Sequence, residues 1–280
     1  MKECSTVADL IAGFFVLLIG SFLNVCIYRW PRDLSVVRPT RSYCPACEKQ
    51  IPWYENVPVF SYFLLRGKCS SCQTPIPARY PLVEILTGLS FAYFVYHHGP
   101  TPAAAKFCVF AAILIALAFS DLETRLLPDE LTLGGTLIGL LFALATPVPD
   151  SSFHLLAVIF GWQPGPLAGS LGEALFGAVA CSGTLWLAGW IFEKIRHKEG
   201  LGFGDVKMLA MTGAFLGFER TLLTIILGSL IGSVTGLVYI RLTRGDPATY
   251  QLPFGTFLAL AALIVAIAGT PFIGWYAQTL

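Results

Sequence analysis

Leu10–Tyr28 reads LIAGFFVLLIGSFLNVCIY, a run without a single charge, and Arg29, Arg32 and Arg38 follow it. A bilayer core is crossed by a helix of about 20 apolar residues, so this stretch reads as a membrane span. Four more runs have the same character: Ile85–Ala105, Ala174–Phe192, Thr221–Ile240 and Gln251–Leu280. Three shorter ones, Phe107–Ser120, Leu131–Val148 and Met208–Phe218, suffice where their ends lie in protein or in an aqueous cavity. Together they predict an all-α polytopic membrane protein with about eight transmembrane helices, the sixth the shortest. The composition agrees. Of 280 residues 55% are hydrophobic and 12% charged, where soluble domains carry about 25% charged residues.

The positive charges are distributed unevenly along the chain. With the N-terminus outside, eight spans place residues 29–80, 121–130, 193–207 and 241–250 on one face. Those segments hold fifteen of the 18 Lys and Arg residues, leaving only Lys2, Lys106 and Arg220. The positive-inside tendency makes that face cytoplasmic. The connector Pro147–Ala168 has neither Lys nor Arg and reads as a short external loop. Lys2 ahead of the first run suggests a signal peptide, but no Ala-x-Ala site follows, so a retained anchor is expected. The net charge of +1 says nothing about nucleic acid; the scarcity of charged residues points to lipid as the surrounding partner, and no nucleic-acid partner is expected.

The first cytoplasmic stretch, residues 29–80, is rich in Pro and aromatics, which predicts loops and short strands. Within it stand Cys44-Pro-Ala-Cys47 and Cys69-Ser-Ser-Cys72, two Cys-x-x-Cys knuckles separated by 21 residues. Each offers two thiolates on a tight turn, and four thiolates complete a tetrahedral shell with no position left for water. A structural zinc is the leading reading. Iron in the same cage and redox thiols are the alternatives. A module of this size needs such a staple to fold. Disulfides are not expected in a reducing cytoplasm, and Cys4, Cys26, Cys108 and Cys181 read as packing residues of the spans.

Two acids sit at the cytoplasmic ends of apolar runs. Asp121 closes Phe107–Ser120, and Asp205 lies in Gly202-Phe203-Gly204-Asp205-Val206-Lys207. Carboxylates at that depth are costly and tend to mark function, although either one alone reads as a helix cap. Brought close together, two carboxyl groups share one proton. One then serves as base on a water while the other polarises a peptide carbonyl. Gly202 and Gly204 permit close backbone approach. Asp129, after Pro128, reads as a capping residue at a helix start. Lys207 reads as a substrate-steering cation or the partner of an acid, and His97 and His98 as part of a solvated turn.

These motifs resemble those of the bacterial type IV prepilin peptidases, aspartyl proteases of the membrane-embedded Gly-x-Gly-Asp type. The likeness runs from Gly20-Ser21-Phe22-Leu23-Asn24 through both knuckles, Trp53-Tyr54-Glu55-Asn56-Val57-Pro58, Arg66-Gly67-Lys68-Cys69 and Arg79-Tyr80-Pro81-Leu82-Val83-Glu84. It continues through Asp121, Leu127-Pro128-Asp129, the glycine motif and Pro253-Phe254-Gly255. Phe203 and Ser120 are minor departures. The resemblance implies catalysis by Asp121 and Asp205 and structural zinc on Cys44, Cys47, Cys69 and Cys72. It also implies leader cleavage of prepilins or type II secretion pseudopilins at the bacterial inner membrane. N-methylation of the new terminus from S-adenosylmethionine would follow, with Glu55, Asn56, Gly67 and Glu84 as loop candidates for that step, and Gly202, Gly204 and Lys207 beside the substrate. The implied division is 1–28 first span, 29–80 zinc loop and 81–280 multi-span peptidase domain. A transporter with a docking ribbon would instead place polar residues at mid-span, and an inactive pilus-assembly scaffold would not need both aspartates.

Overall fold

The computed structural model describes residues 2–39, 41–148, 152–197, 202–243 and 252–279, without the side chains of 2–12, 14, 243 and 270–279. The expected connectors at 193–207 and 241–250 fall partly outside the described residues, as do the side chains of Lys2 and Cys4. Ten α-helices are found among the described residues: α1 Lys2–Arg29, α2 Phe60–Leu64, α3 Arg79–His98, α4 Pro102–Thr124, α5 Asp129–Ala145, α6 Ser152–Ile159, α7 Pro166–Arg196, α8 Phe203–Leu216, α9 Phe218–Thr243 and α10 Phe254–Thr279. Three of them, Pro102–Thr124, Pro166–Arg196 and the Phe218–Leu242 part of α9, are long and apolar enough to cross a membrane. Phe254–Gly269 is a shorter apolar stretch.

Two expectations need correction. The run Ile85–Ala105 is not one helix, because Gly99 at φ 66° stops α3 and Pro102 opens α4. The connector Pro147–Ala168 is not a plain loop, because it contains α6. That helix is anchored at its start. The His154 N–H donates to Glu173 Oε1 at 2.9 Å and the Ser152 hydroxyl to Glu219 Oε1 at 3.0 Å, so carboxylates meet the positive end of the helix.

The chain forms two compact units, residues 1–116 and 117–280. In the first, α1 and α3 approach closely at Gly20, where a Cβ would lie 2.7 Å from Glu84 Cα. The Asn24 amide donates to the Tyr80 carbonyl at 3.1 Å. Arg29, only 5% exposed, donates to the carbonyls of Ser35, Val36 and Pro39 at 3.0, 3.2 and 3.0 Å. One buried cation therefore folds the chain back as it leaves α1. A buried charge is tolerated only when it is paired or hydrogen-bonded in this way. The rest of the stretch holds two 3-10 turns, Trp53–Glu55 and Trp30–Arg32, the short α2, and two isolated bridges in place of the expected strands.

In the second unit α8 is buried almost throughout, from Asp205 and Val206 to Leu216. A helix apolar on all sides belongs inside a protein. At 1.5 Å per residue its 14 residues reach about 21 Å, short of a ~30 Å hydrocarbon core. Neighbouring helices cover it instead. Gly139 of α5 sits against Phe215 and Ala214, and Gly213 against the backbone of Gly177 and Ala178 in α7. In lipid, helices associate through such close packing at small residues. Gly228, Gly232 and Gly236 of α9 likewise receive Leu258, Phe257 and Leu252. The outward side of α7 exposes Val179, Trp186 and Ile195, as suits a lipid-solvated surface.

A Cβ on Gly177 would lie 2.6 Å from the Gly217 carbonyl carbon, whereas one on Gly183 would meet nothing within 4 Å. Gly177→Val should therefore destabilise the protein by about 1–3 kcal/mol or more. Gly183→Val should leave it unchanged. Thermal unfolding of the two variants in the same detergent checks the difference.

Candidate active site

From Phe107 onward helix α4 runs without a charge until its last turn, where it reaches Asp121, which is 5% exposed. Asp205, 8% exposed, lies in the first turn of α8, its N–H bonded to the Gly202 carbonyl at 3.1 Å. Leu127 stands against Gly204, the residue before Asp205, and against Gly255, which adjoins Asp121 Cγ, so the two aspartates lie about one side chain within the second unit. Neither carboxyl caps its own helix.

The turn after α4 holds them in place. Arg125, at φ 59°, donates its N–H to the Asp121 carbonyl at 3.0 Å and ends the helix. The fully buried Ser120 hydroxyl donates to the Leu126 carbonyl at 2.8 Å. This fixes Leu127, whose side chain fills the space in front of two glycines. A Cβ on Gly204 would stand 3.1 Å from Leu127 Cβ. One on Gly255 would stand 3.0 Å from Leu127 Cδ1 and 3.3 Å from Asp121 Cγ. The Thr256 N–H and hydroxyl both reach Asp121 Oδ2, at 2.7 and 2.9 Å.

Lys207 is turned away from both aspartates. It donates to Asp129 Oδ1 and Oδ2 at 2.6 and 2.8 Å, and Asp129 is the first residue of α5 with no backbone cap bond. The capping role expected of Asp129 is thus replaced by an ion pair between α5 and α8. Gly202 lies beside Asp205, where its Cβ would be 3.2 Å from Oδ2.

The first unit carries the four knuckle cysteines. All four sulfurs lie within 4.8 Å of one another. The knuckles repeat one turn. The Lys49 carbonyl accepts the Cys44 N–H and the Thr74 carbonyl accepts the Cys69 N–H, at 3.0 and 2.9 Å. Bridges Tyr43↔Gln50 and Lys68↔Pro75 close them, and Glu48 and Gln73 take left-handed φ of 57° and 59° just past each second cysteine. With Zn–S about 2.3 Å, the edge of a tetrahedral thiolate cage is about 3.8 Å. The Cys44 and Cys72 sulfurs are 3.8 Å apart. The Thr74 hydroxyl lies 3.2 Å from the Cys72 sulfur, where it can donate to the thiolate that a metal requires. These residues fit a four-coordinate metal.

Each of the four loop residues tied to methyl transfer has a contact of its own in the loop. Glu84 accepts the Val59 N–H at 2.7 Å, holding the start of α2, where Val59 sits at φ 64°. A β-branched residue there is strained, and the Glu84 carboxylate supplies the compensating contact. Gly67, at φ 66°, packs its Cα side against Tyr62, where a Cβ would be 3.1 Å from the phenol oxygen. Glu55 accepts the Ser70 hydroxyl at 2.7 Å, and the Asn56 N–H closes the Trp53–Glu55 turn. Sequence reasoning missed Ser120, Leu127 and Thr256. The Pro253-Phe254-Gly255 motif directly before Thr256 was the available signal.

The fold and these sites define a helical membrane protein with a thiolate metal module and a separate pair of buried acids. The model of the bacterial peptidase A24 N-terminal domain matches residues 14–98, and that of the type IV leader peptidase family matches 108–237. The chain is 36% identical to a prepilin leader peptidase/N-methyltransferase of Stutzerimonas stutzeri and to one of Pseudomonas aeruginosa, in each case over 94% of this chain and 91% of the relative. A protein of the same name from Neisseria gonorrhoeae is 34% identical over 92% of this chain and 90% of its own. No solved structure matches. This chain belongs to the type IV leader peptidase family.

A metal in the cage leads to a direct expectation. Purified protein should carry about one zinc per chain by elemental analysis, and Cys69→Ser should lose it. Chelation should then expose the 29–80 stretch to limited proteolysis while the helices of the second unit stay resistant.

Proposed function

We propose that this protein removes the basic leader from type IV prepilins or type II secretion pseudopilins and N-methylates the new terminus, with Asp121 and Asp205 as the proteolytic pair. The observation that carries the reading is the burial of two carboxyls at helix ends gathered about Leu127, in a chain of the leader peptidase family. Eight helices, α1, α3, α4, α5, α7, α8, α9 and α10, cross the bacterial inner membrane with the N-terminus outside. The distribution of Lys and Arg supports that topology. It puts the acids and the thiolate module on the cytoplasmic side, where a basic leader would remain.

The substrate is itself an apolar helix, and lateral approach brings the bond at its head to the depth of the two aspartates. One carboxyl starts ionised and the other protonated. The ionised member takes a proton from a water as the water oxygen bonds to the peptide carbon. The protonated member gives its proton to the carbonyl oxygen. When the C–N bond breaks, the amine takes the proton from the first aspartate, and the hydroxyl of the intermediate returns one to the second. The pair ends as it began.

A Cys4 zinc staples the loop and takes no part in hydrolysis. S-adenosylmethionine, when bound, supplies the methyl group for the freed amine. Glu55 and Asn56 are the loop residues placed to hold it, beside the open faces of Trp53 and Tyr54, which are 80% and 59% exposed. A carboxylate and aromatic faces suit a sulfonium cation. Glu84 and Gly67 shape the loop behind them.

Asp121→Asn and Asp205→Asn should each abolish leader cleavage while the protein still inserts and keeps its zinc. Mass spectrometry of the N-terminus of a prepilin incubated with purified enzyme reads cleavage and methylation together. Wild-type cleavage by either variant would refute the assignment.

A further inference from the structure

Resting on the dyad reading, we propose that Thr256 is the positioning residue of Asp121. It anchors Oδ2, leaves Oδ1 as the atom that meets the attacking water, and turns its hydroxyl as the proton on Asp121 comes and goes. Three distances carry this. The Thr256 N–H lies 2.7 Å from Asp121 Oδ2, its hydroxyl 2.9 Å from the same atom, and that hydroxyl 3.1 Å from the Ala118 carbonyl. The N–H is one of the donors left without an intrahelical partner in the first turn of α10, which begins at Phe254. It can serve only an outside acceptor, and Asp121 is that acceptor. Gly255 makes the approach possible, since a Cβ there would crowd Asp121 Cγ at 3.3 Å and Leu127 Cδ1 at 3.0 Å.

The hydroxyl has two acceptors and one hydrogen. While Asp121 is ionised, the hydrogen belongs on Oδ2, because a hydrogen bond to a charged acceptor is about twice as strong as a neutral one. Once Asp121 has taken the proton of the water, Oδ2 is the weaker acceptor. The hydrogen can then swing to the Ala118 carbonyl, one acceptor exchanged for the other with no heavy atom moved. The Thr256 N–H stays on Oδ2 throughout, so the proton remains on Oδ1, facing the site of reaction. When the proton passes on to the leaving amine, the hydroxyl turns back. Asp121 is thereby the member equipped to take and return a proton.

Asp205 has no comparable partner. Its carboxyl makes no hydrogen bond among the described residues, and Gly202 beside it offers no side-chain donor. The geometry assigns it the start of the cycle as the protonated member, the acid toward the carbonyl oxygen. Its nearest cation in sequence, Lys207, is engaged by Asp129. The two aspartates, alike in side chain, are distinguished by what α10 brings to one of them.

The test uses the full-length enzyme in lipid nanodiscs with a prepilin, comparing wild type, Thr256→Val, Thr256→Ser and Asp121→Asn. Thr256→Val keeps the shape and the N–H but removes the turning hydroxyl. Its kcat should fall about ten- to hundredfold with KM unchanged, the size expected for one hydrogen bond to a charged group. Thr256→Ser should restore kcat to within about twofold, and both variants should melt within a few degrees of wild type. Wild-type kcat in Thr256→Val overturns the proposal, as does a Ser variant no better than the Val one, or a loss that appears in KM and melting temperature instead of kcat. Asp121→Asn separates the two ideas. Inactive Asp121→Asn beside fully active Thr256→Val removes only the role of Thr256, whereas fully active Asp121→Asn removes the dyad itself.

Discussion

Leu127 set against Gly204 and Gly255 is the contact on which the site depends. It is one side chain, on a turn only six residues past Asp121, that touches the first turns of both α8 and α10. A Cβ at either glycine would force Leu127 to shift by a few tenths of an ångström. With Leu127 in place, the end of α4 and the starts of α8 and α10 must meet. Asp121, Asp205 and Thr256 are the polar residues those ends carry. The wedge is apolar, so it excludes water from the back of the pair, and burial of the carboxyls follows from it.

Helix ends suit this purpose for electrostatic reasons. A helix start presents unpaired N–H groups and the positive end of its dipole. Two starts, α8 and α10, are gathered at two acids. One start spends an N–H on Asp121. The other carries Asp205 within its own first turn. A carboxylate far from water needs such donors, and supplying them from backbone adds no further side chain to a crowded site. Short α8 follows from the same arrangement. A helix that begins at a buried site and is enclosed by α5 and α7 need not match the bilayer in length.

Much of this was legible in advance, and the rest was hidden for a common reason. Charge-free runs gave the long helices, because lipid leaves the backbone few alternatives to helix. The two knuckles were legible because metal ligation fixes residue type and spacing together. The placement of Asp121 and Asp205 at the ends of apolar runs was visible as well. What stayed out of sight were partners between side chain and remote backbone. Thr256 meets Asp121 from 135 positions away, and Lys207 meets Asp129 from 78. Arg29 read as an ordinary flanking cation, yet it is buried and holds three carbonyls. No periodicity encodes such pairs. Helix α6 was missed because its eight residues are too few to register as a span and its anchors, Glu173 and Glu219, lie on other elements.

The two units are held together internally by different means, and the solvent explains the difference. Between lipid-solvated helices the hydrophobic effect offers little, since leaving a neighbour for lipid exposes no apolar surface to water. Cohesion there comes from close contact at Gly139, Gly177 and Gly213, where dispersion and backbone proximity accumulate. The 29–80 stretch faces the opposite problem. It leaves Trp53, Phe60, Phe63 and Leu64 widely exposed and buries few apolar side chains. It relies on polar clamps instead: the Arg29 carbonyl cluster at one end, the Glu84 bond to Val59 at the other, and the thiolate cage between. Each clamp fixes backbone, and those of Arg29 and Glu84 do so through a charged group withdrawn from bulk water, where such bonds are strongest. The membrane helices α1 and α3 supply the residues of two of the three clamps. The loop is thus built outward from the ends of the helices that carry it, and a metal is needed only for the part those ends cannot reach.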